Sequence, residues 1–251
     1  RLLLQRGDLL LRLVGQLLQI GQVVLVRVEQ FEFGDDRFQC VQLGVVGLGQ
    51  AEALERALFL CRKRIEKRVH AQNISDFYIC SFSARSLIYK GMFLAESIDE
   101  FYPDLKDERF AAAVAIFHQR YSTNTFPEWK LAQPFRMLAH NGEINTLKGN
   151  LNWMKSHEIR MAAQAFGDRD REVKPVVQPG GSDSAALDNV MEVLVHAGRP
   201  TPMAKALLIP EAWAKDDVVM PPEHRAFYAY CNAVMEPWDG PAAICFTDGR
   251  Q

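Results

Sequence analysis

The amino-acid sequence predicts an α+β fold, built from mixed strands and helices without a repeating βαβ rhythm. Two observations support this prediction. Apolar residues recur at helical spacing in several segments, and short apolar runs of strand length lie between those segments. With 251 residues, of which 48% are hydrophobic, the chain is long enough to bury a sizeable core.

Composition excludes several classes of function. The net charge of -2, from 29 basic and 31 acidic residues, gives no support for nucleic-acid or membrane binding. Five cysteines without a Cys-x-x-Cys pair suit a reducing compartment and do not suggest a zinc or iron–sulfur site in this chain. The apolar runs are shorter than a membrane span. We therefore expect a cytoplasmic, soluble protein with no metal and no cofactor bound to this chain.

Residues 1–50 differ from the rest of the chain, because they use only ten residue types. One interpretation is an amphipathic helix followed by a Val-rich strand. The other is a segment translated from the wrong reading frame. We treat 1–50 as an atypical segment that indicates no function, and we place the predicted domain at 51–251.

From residue 51 onward the sequence has the patterns of a globular protein. A helix is predicted first, because apolar residues at 54, 58, 61, 65 and 69 fall at helical spacing among charged residues. Paired strands are predicted next, followed by a buried strand that ends at His118. The strands are predicted at 76–83, 86–93, 111–117 and 241–249, and further helices at 145–166, 184–197 and 224–235.

Two clusters of polar residues follow apolar segments in the middle of the chain. Arg120 follows the run 111–117, and a guanidinium there can bind a carboxylate through two parallel hydrogen bonds, or can be a surface arginine. Asn141 and Gly142 follow another apolar run. Asn-Gly is the strongest short signal for a hairpin turn, but an amide beside a backbone N–H can also stabilise an oxyanion.

A third cluster opens the predicted helix at 184–197. Asp183 can be an ordinary acid in the first turn of a helix, or it can be the counter-charge of an ammonium group. Each cluster alone favours the structural interpretation. Together they provide what is needed to hold a free α-amino acid by both charged ends while its side-chain carbonyl is attacked.

The chain from about Glu52 onward resembles the glutamine amidotransferase domains of the glutamate synthase family, which are class II, N-terminal-nucleophile amidotransferases. The motifs that carry the resemblance are FHQRYSTNTFPEWKLAQPFRMLAHNGEINT, GNLNWM, GGSDSAALDN and MEPWDGPAA. The extended LAQPFR and EINT…GNLNWM stretches argue against other class II members, such as phosphoribosyl or sugar-phosphate transferases.

The resemblance implies a four-layer αββα sandwich of the N-terminal-nucleophile hydrolase type, incomplete in this chain. Arg120 would bind the α-carboxylate of L-glutamine, and Asp183 its α-ammonium. The Asn141 amide and the Gly142 N–H would form the oxyanion hole. The pocket would be shaped and lined by Gly181, Ser182 and His118.

In the family, an N-terminal cysteine attacks the glutamine amide with its own α-amine as base. The resemblance implies FMN, an iron–sulfur cluster, further synthase domains and a reductase subunit for the parent enzyme. NADPH, NADH and ferredoxin remain open as electron donors. Residue 1 is Arg, so we expect this fragment to lack the nucleophile and to be inactive. A non-catalytic amino-acid-binding or scaffolding module is the alternative.

Overall fold

The structure is a computed structural model that describes residues 23–33, 36–46, 51–74, 77–119, 125–211 and 220–250. For 23–33 and 36–46 it describes the backbone alone. The chain divides into two compact units, residues 1–89 and residues 90–251. Helices and strands occur in both units, as an α+β class requires.

The first unit contains a three-stranded sheet. Strands β1 (Val23–Phe33) and β2 (Asp36–Val46) pair antiparallel, and β3 (Phe77–Ser83) pairs parallel with β2. Helix α1 (Ala51–Ala71) connects β2 to β3. The predicted helix after residue 51 and the strand at 76–83 are confirmed. The helix considered for the start of the chain lies outside the described residues.

One face of α1 packs on β3, because the apolar residues of the helix recur at helical spacing. Glu55 of this helix accepts hydrogen bonds from the Ser83 hydroxyl at 2.8 Å and from the next N–H along the chain at 2.7 Å. These bonds fix the end of β3. The core of the unit is formed by Leu54, Leu58, Ile65, Val69, Ile79 and Phe82.

The predicted strand at 86–93 is wrong, because this segment is irregular. The Ser83 hydroxyl accepts the N–H groups of Arg85 at 3.0 Å and Ser86 at 3.3 Å, so the chain turns locally. The Ser86 carbonyl accepts a further bond from the Ser81 hydroxyl at 3.1 Å. β3 therefore pairs with β2 and not with the segment that follows it.

The second unit contains a two-stranded antiparallel sheet and four helices of eight or more residues among its described residues. The strands are β4 (Leu138–Gly142) and β5 (Ala242–Phe246). The helices are α2 (Leu147–Arg160), α3 (Asp183–His196), α4 (Thr201–Leu208) and α5 (Pro222–Val234). Short helical turns lie at 95–101, 103–106, 129–131 and 167–173. The helices predicted from 145, 184 and 224, and the last strand, are confirmed.

The predicted buried strand at 111–117 is wrong. This segment is irregular, and its side chains Val114 and Phe117 are 72% and 83% exposed. Four of its seven residues are alanine, which favours strands weakly and adds little apolar area. In addition, β5 and several side chains already occupy the hydrogen-bonding edges of β4.

Helix α3 begins and ends as its sequence predicts. Ser182 caps its first turn, and Gly198 ends it with φ +103°, a conformation that favours glycine. Its face with Leu187 and Met191 is buried. None of the helices within the described ranges combines the length and apolar character that a bilayer crossing requires.

Candidate active site

Asn141 and Gly142 are the last two residues of β4, and both pair with β5. The predicted hairpin turn is wrong, because the pairing continues beyond Gly142: the Glu143 N–H donates to the Pro241 carbonyl at 3.0 Å. A type I′ turn needs positive φ at both central residues, and of these two only Gly142 has it.

Gly142 is required for a different reason, which is the close approach of two backbone segments. A Cβ at this position would lie 1.8 Å from the Pro241 carbonyl oxygen, and φ is +146°. Gly240 repeats the arrangement from the other segment, because a Cβ there would lie 1.8 Å from the Glu143 carbonyl oxygen. Only glycine fits at these two facing positions.

The register of the sheet determines where the Gly142 N–H is directed. The Thr247 N–H donates to the Met137 carbonyl at 2.9 Å, and the Glu143 N–H donates to the Pro241 carbonyl at 3.0 Å. The odd-numbered residues between these contacts, Ala139 and Asn141, therefore turn their backbone groups toward β5. Backbone groups alternate between the two edges of a strand, so the Gly142 N–H is directed away from β5. Asn141 and Gly142 are both exposed, and their amide and N–H groups can therefore contact a ligand.

The start of α3 lies next to the end of β4. Ser182 is buried, and its hydroxyl accepts an N–H from the first turn of α3 at 3.1 Å. Asp183 Oδ2 accepts the Ile144 N–H at 2.9 Å, and its Oδ1 accepts the Ser184 N–H at 2.7 Å. The second and third predicted clusters are thus joined by a direct hydrogen bond.

Asp183 has capacity for a further partner. A carboxylate can accept about four hydrogen bonds, so these backbone contacts leave acceptor positions on its half-buried side chain. Gly181 precedes the cap and is exposed, and a Cβ there would come within 3.2 Å of the Ala185 side chain. An ammonium group could therefore contact Asp183 beside the N-terminus of α3.

The other predicted binding residues precede β4. His118 is half-buried in irregular chain, and its charge acts on His140, which places it near the site. Arg120 lies outside the described residues. Its role as the carboxylate-binding group therefore stays a prediction.

His140 is buried directly before the exposed Asn141. Its Nδ1 lies 2.8 Å from the Ser184 hydroxyl oxygen. Burial is the main cause of a lowered pKa for His140, and His118 lowers this pKa further. The negative charge of Asp183 and the Pro241 carbonyl oppose this shift. The imidazole is therefore neutral at neutral pH and packs as a polar support behind the site.

The edge of β4 that faces away from β5 is occupied by two buried side chains. Gln133 Oε1 accepts the His140 N–H at 2.6 Å, and its Nε2 donates to the His140 carbonyl at 2.7 Å. Asp188 Oδ1 accepts the N–H groups of Met137 at 2.8 Å and Leu138 at 3.2 Å. These side chains take the place of a neighbouring strand.

The carboxyl group of Asp188 is fully buried, and its pKa is raised from 3.8 to about 6. Burial is the main cause, and the negative charge of Glu192 adds to it. The positive charge of Arg136 and the backbone N–H donors act in the opposite direction. Asp188 is therefore close to its titration range at neutral pH.

Four further residues of this region are not predicted by the sequence patterns, although they lie within the quoted motifs: Gln133, His140, Ser184 and Asp188. One signal could have found two of them. Ser184 and Asp188 are one turn apart on the same face of α3 as Leu187, and a polar side chain on an apolar face needs a partner. For Gln133 no local pattern exists.

Four cysteines lie where side chains are described, at 61, 80, 231 and 245, and all four are free thiols. Burial raises the pKa of the Cys231 thiol. Cys245 lies in an apolar stretch of the sequence but is exposed, because its side of β5 faces solvent. Within the described ranges, no three His, Cys, Asp or Glu side chains lie close enough together to hold a metal ion.

The family of the chain follows from comparison with known protein families. The profile of the family described as glutamine amidotransferases class-II matches residues 38–251. The chain belongs to the class-II glutamine amidotransferases. The family resemblance found in the sequence motifs is thereby confirmed.

Relatives of this class-II amidotransferase chain are glutamate synthases. The glutamate synthase [NADPH] large chain of Azospirillum brasilense is 62% identical over 199 residues, or 79% of this chain and 13% of that protein. The corresponding chain of Bacillus subtilis is 47% identical, also over 79% of this chain and 13% of that protein. The chloroplastic ferredoxin-dependent glutamate synthase of Spinacia oleracea is 44% identical over 84% of this chain and 13% of that protein. The chain thus spans a small part of each relative.

Proposed function

We propose that this chain is the glutaminase part of a glutamate synthase, which uses glutamine and 2-oxoglutarate to make two glutamates in ammonia assimilation. The observation that carries the proposal is the 2.9 Å hydrogen bond from the Ile144 N–H to Asp183. This bond connects Asp183, whose carboxylate can bind an ammonium group, with the end of β4, where Asn141 and Gly142 lie. The names of the relatives support the same function.

In the proposed complex, L-glutamine is held by both of its charged ends. Asp183 binds the α-ammonium, and Arg120 binds the α-carboxylate through its planar guanidinium. The side-chain amide then lies at the end of β4. There the Asn141 amide and the Gly142 N–H donate hydrogen bonds to the carbonyl oxygen as it becomes negatively charged. Gly181, Ser182 and His118 shape and line this pocket.

The proposed reaction follows the class II family. The thiolate of the family's N-terminal cysteine adds to the amide carbon, and the oxyanion forms beside Asn141 and Gly142. The C–N bond then breaks, the nitrogen takes a proton and leaves as ammonia, and a thioester remains. Water hydrolyses the thioester, which releases glutamate and regenerates the thiol.

The remaining synthase functions belong, in this proposal, to other parts of the parent protein. FMN and an iron–sulfur cluster would be held there, together with any contact to a reductase subunit. We also propose that the complete domain has the four-layer αββα arrangement of N-terminal-nucleophile hydrolases. A cytoplasmic location is supported by the cysteine usage of the sequence.

The proposed binding role is tested by Asp183→Asn in the full-length enzyme that contains this domain. The asparagine keeps one oxygen, for the Ile144 N–H, but loses the acceptor of the Ser184 N–H and removes the negative charge. We expect the KM for glutamine to rise by about tenfold or more, because a charge-assisted hydrogen bond is lost.

Asp168→Asn is the matched control, because Asp168 is exposed and distant in sequence from the motifs. An equal KM in the two variants would contradict the binding role. Glutamine binding without any ammonia release by the unaltered full-length enzyme would instead support a non-catalytic binding module.

A polypeptide of these 251 residues alone provides a second test. Its cysteines lie at 40, 61, 80, 231 and 245, so none carries the free α-amine that the family uses as base. We expect this polypeptide to release no ammonia from glutamine above background. Activity that is abolished by replacing one internal cysteine would contradict this expectation.

A further inference from the structure

The side chain of Gln133 behaves as a short substitute for a β-strand. It is 8% exposed, and both ends of its amide bond the backbone of one residue, His140. One bond accepts the N–H and the other donates to the carbonyl. A neighbouring strand would make the same pair of contacts to a residue at this edge.

The next residue with backbone groups on this edge is Gly142. Its N–H is directed away from β5, as are the groups of His140 that Gln133 holds. We propose that Gln133 is a positioning residue that fixes the oxyanion donors of the glutaminase site. This inference rests on the proposed function, because it concerns the same Asn141 and Gly142 groups.

The bonds on either side of Gly142 explain why one side chain can have this effect. Gln133 holds the backbone two residues before Gly142, and Asp183 holds the N–H two residues after it. The His140 ring is further held by the Ser184 hydroxyl at 2.8 Å. Loss of Gln133 removes the hydrogen bonds to the His140 backbone, before Gly142. The bond from Asp183 to the Ile144 N–H, after Gly142, remains.

Such a loss should affect catalysis more than binding. Oxyanion donors act at about 2.7–3.1 Å from the position of the developing charge, so a small displacement weakens them strongly. The α-ammonium and α-carboxylate of glutamine are bound elsewhere in the pocket, by Asp183 and Arg120 in the proposed complex. The expected signature is therefore a lowered kcat with a nearly constant KM.

The test is Gln133→Met in the full-length enzyme, which keeps the side-chain length and removes both hydrogen bonds. Tyr102→Phe is the matched control, because the buried Tyr102 hydroxyl also donates to a backbone carbonyl, that of Lys90, at 2.7 Å. We expect kcat to fall by about tenfold or more in Gln133→Met and to change less than about twofold in Tyr102→Phe. KM for glutamine should change by less than about threefold in both.

Two results would overturn the inference. The first is an unchanged kcat for Gln133→Met alongside a lowered melting temperature, which would make Gln133 only structural. The second is a rise in KM at constant kcat, which would make it a binding residue. If Gln133→Met does not fold, the near-isosteric Gln133→Glu replaces it, and an unchanged kcat for that variant also overturns the inference.

Failure of the proposed function gives a different result. In that case the unaltered enzyme releases no ammonia from glutamine, or Asn141→Ala leaves turnover unchanged. An active enzyme that depends on Asn141 but not on Gln133 refutes only the positioning role.

Discussion

The two sides of the candidate site are built differently. On one side, β4 and α3 hold Asn141, Gly142 and Asp183 through strand pairing and buried side-chain hydrogen bonds. On the other side, the segment 111–119, which precedes Arg120, is irregular, and most of its side chains are exposed. The groups proposed to act on the reacting carbonyl are thus fixed by the fold, whereas the segment that leads to the proposed carboxylate-binding group is not fixed by strand pairing.

This difference fits what each side has to do. Oxyanion donors gain their effect from being in place before charge develops, so they belong on a rigid element. A guanidinium that binds a carboxylate through two parallel hydrogen bonds contributes mainly to affinity. Substitutions at Asn141 and Gly142 should therefore change turnover and stability, and those at Arg120 should change binding.

The largest expected effect is on turnover, from Asn141→Ala in the full-length enzyme. We expect kcat to fall by about a hundredfold or more, with a smaller change in KM, because one oxyanion donor is lost. Asn145→Ala is the control, since Asn145 is also exposed and lies four residues along the same chain. Normal turnover with a lowered melting temperature would show that Asn141 has only a structural role.

Gly142→Ala should disrupt the same strand end through the backbone. The new methyl group would lie 1.8 Å from the Pro241 carbonyl oxygen at φ +146°, so we expect a loss of at least about 2 kcal/mol in unfolding free energy. Gly149→Ala in α2 should instead stabilise by about 0.5–1 kcal/mol, because a Cβ there meets nothing within 4 Å. Denaturant unfolding measures the unfolding free energy of the two variants. An equal change in both would contradict the close approach of the two backbone segments at Gly142.

Arg120→Lys tests the proposed carboxylate-binding residue. A compact ammonium does not reproduce the paired hydrogen bonds of a guanidinium, so glutamine binding should weaken by about 1–3 kcal/mol. The KM for glutamine measures this loss, and Arg109→Lys, at an exposed arginine, should leave it unchanged. An unchanged KM for Arg120→Lys would remove Arg120 from the binding site.

The smallest expected effect concerns pH and the support behind β4. The pKa of Asp188 is about 6 in the folded protein against an ordinary value of 3.8, so the folded state holds this proton more tightly. Its stabilising contribution is therefore complete below about pH 4 and is lost as the pH rises to about 6.

Asp188→Asn keeps an acceptor for the Met137 and Leu138 N–H groups and removes this titration. We expect its melting temperature, relative to the unaltered protein, to rise between pH 4 and pH 7. Asp168→Asn, at an exposed position, should show no such trend. If the melting temperatures of Asp188→Asn and of the unaltered protein change with pH in the same way, the raised pKa of Asp188 is contradicted.

Local patterns predicted most of the described helices, and they failed where pairing partners decide the structure. α1 and α3 carry their periodicity and their end signals within a few residues, so the sequence is sufficient for them. The segments 86–93 and 111–117 have apolar runs of strand length, but a strand forms only where another edge accepts it. No local signal reports which edges remain open.

For the candidate site too, local patterns predicted some residues, and tertiary contacts decided the others. Asn141, Gly142 and Asp183 were identified from motifs, and the structure brings them together through a bond between residues 144 and 183. The Asn-Gly pair was assigned to a hairpin because the rule considers φ alone, whereas the approach of Pro241 comes from a segment a hundred residues away. Gln133 and Asp188 act on β4 through tertiary contacts, which sequence patterns do not contain.

The closed edge of β4 also has a consequence outside catalysis. An open strand edge offers N–H and carbonyl groups to any other polypeptide and can begin intermolecular sheet growth. At Leu138 these groups already bond to Asp188 and to the Phe135 N–H, and at His140 both bond to Gln133. These two residues therefore offer no unpaired backbone group to another molecule, and their contacts protect this part of the β4 edge from intermolecular pairing.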